Sequence, residues 1–333
     1  RRHTRCSRDW SSDVCSSDLR IFQMIDPFLV LLPVFVVILV GLALRLSGLI
    51  DGAHWDAVDH VCYYVLFPAI IFKEIAAADF SNVPVFAMAF AMVAAILTMF
   101  AMLLAARKPL QSMLAIDGPQ FTSLVQGATR WHTFIAFAII PLYFGPGALA
   151  LGAVSAAAMT PLLNVACVIV MSLYATGTRP KASAMALSIA RNPFFLSSMG
   201  GVAWQVLGLP LPQLGFQVLD MIGKGALGLA LLAVGAGLRF GEAMAAKSPV
   251  AAAVLLKLLA MPALMALWLW VFGVTGTPAA VALLSAAVPT GSGAYVLARK
   301  MGGDAALVAN ILTAQVIAAA LTIPLVLSLA GTR

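Results

Sequence analysis

Residues 281–303 read VALLSAAVPTGSGAYVLARKMGG. The run is apolar and close to the roughly 20 residues a helix needs to cross a bilayer. Pro289, Gly291 and Gly293 interrupt it, and Arg299 and Lys300 close it. Proline removes a backbone donor. Irregular backbone at membrane depth is tolerated only where protein or a water-lined cavity satisfies the freed groups. The stretch therefore predicts a span unwound near its centre, aiming free N–H and C=O groups at a ligand beside the hydroxyls of Thr290 and Ser292. A plain proline kink is the competing reading.

Arg299 and Lys300 belong to a wider pattern. Arg45, Arg107 with Lys108, Arg179 with Lys181 and Arg191, and Arg239 with Lys247 follow the first, third, fifth and seventh apolar runs, and the gaps between hold none. Short cytoplasmic loops of polytopic membrane proteins carry such an excess of Lys and Arg. The chain has 333 residues, 62% hydrophobic and only 10% charged, whereas a soluble domain is nearer about 25% charged. Lipid must be its main solvent. The net charge of +7 is spread over loops on one side, which suits an anionic leaflet and not nucleic acid. Cys62 and Cys167 lie inside apolar runs and read as small core residues.

Residues 1–23 stand apart. The first twenty, RRHTRCSRDWSSDVCSSDLR, are rich in Arg, Ser and Asp, hold Cys6 and Cys15, and contain no apolar signal core. They are expected to be a disordered sequencing or assembly artefact, with Met24 as the native start. A disordered leader is the alternative.

Spans are expected at 27–46, 55–78, 83–105, 122–143, 147–174, 192–209, 214–238, 249–273, 277–298 and 304–330. Basic gaps in the odd positions put both termini outside. The polar connection 175–191 divides a first five-helix repeat, 24–174, from a second, 192–333. Five is odd, so the second enters from the opposite side and the repeats are inverted. Aligning Gly145 with Gly302 places His132-Thr133 on Pro289-Thr290 and Ala148 on Ala305. Inverted repeats with a midplane site characterise secondary transporters.

The fourth span contains Arg130, expected near its cytoplasmic end, and His132 slightly deeper. His132 either ligates a substrate carboxylate, titrates during transport, or is satisfied by a neighbouring helix. Pro141 reads as a helix-end proline. Asn164 and Gln315 are amides in the fifth and tenth spans, where such groups usually bond across helices; coordination is the other reading. Charges within spans are costly, which singles out Lys73, Glu74, Lys257 and the i,i+4 pair Asp220 and Lys224, a coupling or structural pair. No carboxylate is expected near mid-span. No Walker loop, HExxH or paired Cys motif occurs, so an enzyme, a metal and a cofactor are not expected.

Six motifs in order, MIDPFLVLLPVFVVILVGLALR, YYVLFPAIIFKEI, QGATRWHTFIAFAI, LGLALLAVGAGL, AAVPTGSGAYVLARKMGGDAALVANI and TAQVIAAALTIPL, together resemble the auxin efflux carrier family in its bacterial permease branch. The resemblance covers residues 24–330. It implies an all-α membrane fold of ten helices in two inverted five-helix repeats. Helices four and nine would be discontinuous and cross at the substrate site. It also implies a small organic anion as substrate, both termini periplasmic, and alternating access. The family usually has Asn where this chain has His132, and a glycine or proline at the fourth-helix crossover, which this chain lacks unless Pro141 serves. The expected function is a secondary carrier of a small carboxylate in a bacterial inner membrane, with the bilayer and a second copy of the chain as partners. His132, Thr133, Asn164, Pro289, Thr290, Gly291, Ser292 and Gln315 are the expected binding residues. A sodium-coupled symporter of the bile-acid type and a non-transport membrane sensor are the alternatives.

Overall fold

The computed structural model describes residues 16–78, 80, 83–175, 183, 187, 190–209, 212–238 and 247–330. Residues 1–15, Arg179, Lys181, Arg239 and most of the expected linker 175–191 lie outside the described residues. All described secondary structure is helical. Seven stretches are long and apolar enough to cross a membrane: Phe28–Leu46, His54–Ala77, Val85–Ala105, Pro146–Tyr174, Gln213–Gly237, Ser248–Val271 and Ala305–Ala330.

In chain order the helices are α1 (Ser16–Leu46), α2 (Gly52–Val61), α3 (Phe67–Ala77), α4 (Val85–Ala105), α5 (Arg107–Leu114), α6 (Gly118–Thr129), α7 (Thr133–Phe144) and α8 (Leu149–Tyr174). There follow α9 (Pro193–Val206), α10 (Gln213–Lys224), α11 (Ala226–Gly237), α12 (Lys247–Leu255), α13 (Met261–Val271), α14 (Gly276–Ala287), α15 (Gly293–Met301) and α16 (Ala305–Ala330). A π turn, Cys62–Leu66, joins α2 to α3, and another, Leu256–Ala260, joins α12 to α13.

The regions expected as spans four and nine are each two short helices, α6–α7 and α14–α15, interrupted at residues 130–132 and 288–292. The expected sixth span is α9, whose 14 residues rise only about 21 Å. α6 begins at Gly118 rather than 122 because Asp117 and Gln120 form a reciprocal capping box. Asp117 Oδ1 accepts from the Gln120 N–H at 2.8 Å, and Gln120 Oε1 from the Asp117 N–H at 3.2 Å. Pro141 lies inside α7 and does not break it.

The elements pack in two sets. In one, α1 lies along α11, and α3 packs on α9 and α10. In the other, α4 packs on α13 and α8, and α14 and α12 pack on α16, with α6 among them. α1 and α11 meet backbone to backbone: a Cβ on Gly41 would overlap the Leu232 carbonyl, and one on Gly235 the Ile38 carbonyl. Small residues permit such close approach in membranes. At the end of this seam Arg45 Nη1 donates to Ala236 O at 3.0 Å, satisfying a carbonyl that the end of α11 leaves free. Lys73 of α3 pairs with Asp220 of α10 at 2.7 Å and with Glu74 at 3.2 Å, and Asp220 also holds Lys224 at 2.9 Å.

Gly235→Leu must push the two backbones apart, and overpacking of this kind costs about 1–3 kcal/mol or more. The detergent-solubilised variant should melt well below the native protein. Gly228→Ala, whose Cβ meets open space, should melt at or slightly above it, and equal melting of the two variants would contradict the backbone contact.

Candidate functional site

Both helix interruptions open onto one cavity of about 520 Å³. Its wall on one side comes from α2, the following π turn and α9, through Asp59, Tyr63 and Phe194. The other side comes from the two interruptions and α8, through Arg130, His132, Asn164 and Ser292. The cavity thus lies between the two packed sets. The exposed residues His60, Tyr64 and Lys300 mark its opening.

The interruptions touch each other. A Cβ on Gly291 would lie 2.8 Å from Trp131 O and 3.7 Å from His132 Cα. Only glycine lets the two chains pass at this distance. Arg130 has an extended backbone, φ −67° and ψ 155°. It follows the 12 residues of α6 and precedes the 12 of α7. It therefore lies between two helices of equal length. No glycine or proline falls within 130–132.

Breaking a helix frees carbonyls at its end and N–H groups at its restart. The structure satisfies several of these with side chains. Gly127 O accepts from Thr290 Oγ1 at 2.8 Å and from Gln315 Nε2 at 2.8 Å. Gln315 Nε2 also donates to Ala253 O at 3.1 Å, just before the second π turn, and Gln315 Oε1 accepts the Thr290 N–H at 2.9 Å. One buried amide therefore binds both interruptions and α12 together. Pro289, Thr290 and Gln315 are buried behind the wall and do not line the cavity. Thr290 and Gln315 were expected to bind substrate, but backbone groups use their polar atoms. His132, Thr133, Asn164, Gly291 and Ser292 do line it.

On the cavity wall the polar groups are less fully used. Arg130 Nη2 donates to Asn164 Oδ1 at 2.8 Å, but Arg130 Nη1 is buried without a partner. The three ion pairs among the described residues do not include Arg130. His132 is 2% exposed and its Nε2 has no partner. The first residue of α7, Thr133, and the first of α15, Gly293, both line the cavity. Free N–H groups and the positive helix end favour an anion there. Aromatic rings form the apolar part. Phe67 of α3 stacks on Phe134 of α7 with centroids 4.4 Å apart, and Tyr63 lies 5.1 Å from Phe194.

Asp220 and Lys224 stand apart from the cavity in the clamp on Lys73. Lys257 is wholly buried in the second π turn, with Nζ unpartnered and away from the lining. Sequence reading did not place Asp59, Tyr63, Thr160 or Lys300 at the site. For Asp59 the available signal was helical spacing: it lies four residues before Tyr63, on the same face.

Broken apolar helices around a shared cavity are an arrangement that secondary transporters use. Residues 178–327 match the model of a family described as membrane transport protein. That model is the auxin efflux carrier family domain, and its match covers just under half of the chain. Among curated proteins, none matches the chain. The matched segment holds Thr290, Ser292 and Gln315, while Arg130, His132 and Asn164 precede it.

Gln315→Leu strips partners from Gly127 O, Ala253 O and the Thr290 N–H. Each buried polar group left unpaired costs about 1–3 kcal/mol. The variant should melt clearly lower than the native protein and lose ligand-induced stabilisation. Native-like melting would show that the amide does not hold the crossing.

Proposed function

We propose that the chain is a secondary carrier of a small organic anion, most simply a carboxylate. It binds in the cavity where the two interrupted helices cross. The observation that carries this reading is Arg130: a guanidinium with an unpaired nitrogen and no carboxylate partner among the described residues, on a wall shared by two helix N-termini. Arg130 is half-buried, and removing a cation from water without a counter-ion costs free energy that an anionic ligand would offset. His132 Nε2 and the Ser292 hydroxyl add ligand contacts, and Thr133 and Gly291 shape the approach of the backbone.

In this reading α6–α7, α9 and α14–α15 cross the bilayer together with the seven long spans, giving ten. The ten form two inverted repeats of five, 24–174 and 192–333. The basic ends of alternate spans face the cytoplasm of a bacterial cell and both termini face the periplasm. The cavity opening beside Lys300 then faces inward. Transport proceeds as one packed set moves against the other, closing that opening and making another. A second copy of the chain is a reasonable partner in the bilayer.

Counterflow of labelled carboxylates in proteoliposomes tests the site. Arg130→Gln should lower the rate roughly tenfold or more, the loss expected for a charge-assisted hydrogen bond to the ligand. His132→Ala should lower it too, and both variants should keep native expression. Native rates in both would remove the site assignment, and a strict sodium requirement would favour a symporter instead.

Topology is tested separately. Cysteines placed at Lys108 and Arg299 in a cysteine-free background should both label from the cytoplasmic side only. Labelling from opposite sides would end the inverted-repeat reading.

A further inference from the structure

The cavity that receives an anion also carries a carboxylate. Asp59 is the only acid among the described residues lining it. It lies in α2, one turn before Tyr63, which lines the same wall. Asp56, a turn earlier on the same helix, adds negative charge to that end of α2. Asp59 has no ion-pair partner among the described residues: Arg130, Lys300 and His60 line the same cavity, yet none is paired with it. Asp59 and Arg130 are therefore farther apart than an ion pair and line one cavity.

An unpaired carboxylate facing an anion site weakens binding of any ligand that is only anionic. It repels a dicarboxylate most, because the second carboxylate must lie on the side away from Arg130. The arrangement is coherent for a ligand with charges of both signs. Arg130, His132 Nε2 and the N-terminus of α15 form one pole, and Asp59 forms the other. Tyr63 and Phe194 supply an apolar wall between them. His132, 2% exposed and with Nε2 lacking a partner, is a second polar side chain on the Arg130 side of the cavity.

We propose that the substrate is an amino acid whose ammonium is separated from its carboxylate, with Asp59 as the counter-ion of the ammonium. This rests on the carboxylate site proposed above and assigns its second pole. Asp59 is thus a specificity-determining residue that rejects simple dicarboxylates.

The test uses the purified full chain in detergent, titrated calorimetrically with chain-matched probes. These are β-alanine, γ-aminobutyrate and δ-aminovalerate against propionate, butyrate and valerate, and against malonate, succinate and glutarate. The native protein should bind at least one amino acid tenfold or more tightly than its matched acids. Asp59→Asn should remove that preference, weakening the amino acid about tenfold while tightening the monocarboxylate and tightening the dicarboxylate more. Unliganded melting at the native temperature controls for folding. If Asp59→Asn alters all three classes alike, or alters none, the second pole is overturned while the carboxylate site stands. The second pole is likewise overturned if the native protein prefers the dicarboxylates or binds none of the series. Arg130→Gln should weaken every binder; native affinities in that variant would overturn the carboxylate site itself, and the second pole with it.

Discussion

Everything at the centre of this molecule depends on one amide. Lipid offers no hydrogen bonds, so each backbone group freed by a broken helix needs a partner within the protein. Gln315 Nε2 and Thr290 Oγ1 both donate to Gly127 O, and Gln315 Oε1 takes the Thr290 N–H. These bonds join the end of α6 to the second interruption, and Gln315 extends the network to α12 through Ala253 O. With that junction satisfied, the chains can pass at Gly291 and Trp131. The cavity then has two helix N-termini on its wall. Without it, two unwound segments would leave polar backbone facing an apolar interior.

The two interruptions are built differently, and the difference assigns their roles. The second carries Pro289 and Gly291, and its polar backbone is tied by Gln315. The first has neither proline nor glycine within 130–132. Its residues Arg130 and His132 instead line the cavity, with Asn164 holding one arm of Arg130 and Thr160 accepting from Trp131 Nε1 at 3.3 Å. One crossing strand is fixed by hydrogen bonds, and the other carries Arg130 Nη1 and His132 Nε2 without protein partners, which the proposed function assigns to a ligand. Asn164 and Gln315 play parallel parts, since each reaches its interruption from the helix that follows it in the chain.

The legible parts of the sequence were those with local causes. PTGSG announces its break because proline and glycine act on their own backbone. The apolar runs mark themselves by composition. The break at 130–132 has no such mark. Gly127 lies inside α6, and the segment ends because partners distant in sequence, Thr290 and Gln315, take the Gly127 carbonyl. A hydroxyl and an amide at membrane depth look like ligand groups from sequence, and residue type cannot say whether a substrate or a backbone carbonyl will occupy them. Thr290 and Gln315 went to the backbone, whereas Asn164 and Ser292 reached the wall. Asp59 was hidden for the opposite reason. Beside Asp56 and His60 it reads as the hydrated start of a span, and only the docking of α2 beside the crossing makes it part of the cavity wall.

The placement of directional bonds bears on how such a molecule can move. The main side-chain ties between helices fall within one packed set or the other. Arg45 with Ala236 O and Lys73 with Asp220 lie in the set of α1, α3, α10 and α11. Trp268 Nε1 with Thr98 Oγ1 at 3.0 Å, Arg130 with Asn164, and the Gln315 network lie in the other. Beside the cavity, rings of α3 and α7 meet: Phe67 packs on Phe134 and, at 5.6 Å, on Phe137. Hydrogen bonds weaken steeply when their geometry changes, whereas apolar contact is non-directional and survives the small sliding steps of shear motion. In the proposed transport cycle, polar bonds would rigidify each set and the ring contacts would leave freedom at the seam between them. That seam is also where Arg130 and Asp59 face a common space from opposite halves. A ligand bridging them would therefore bind the two halves to each other, so occupancy of the cavity and the relative position of the halves are coupled through the same two charges.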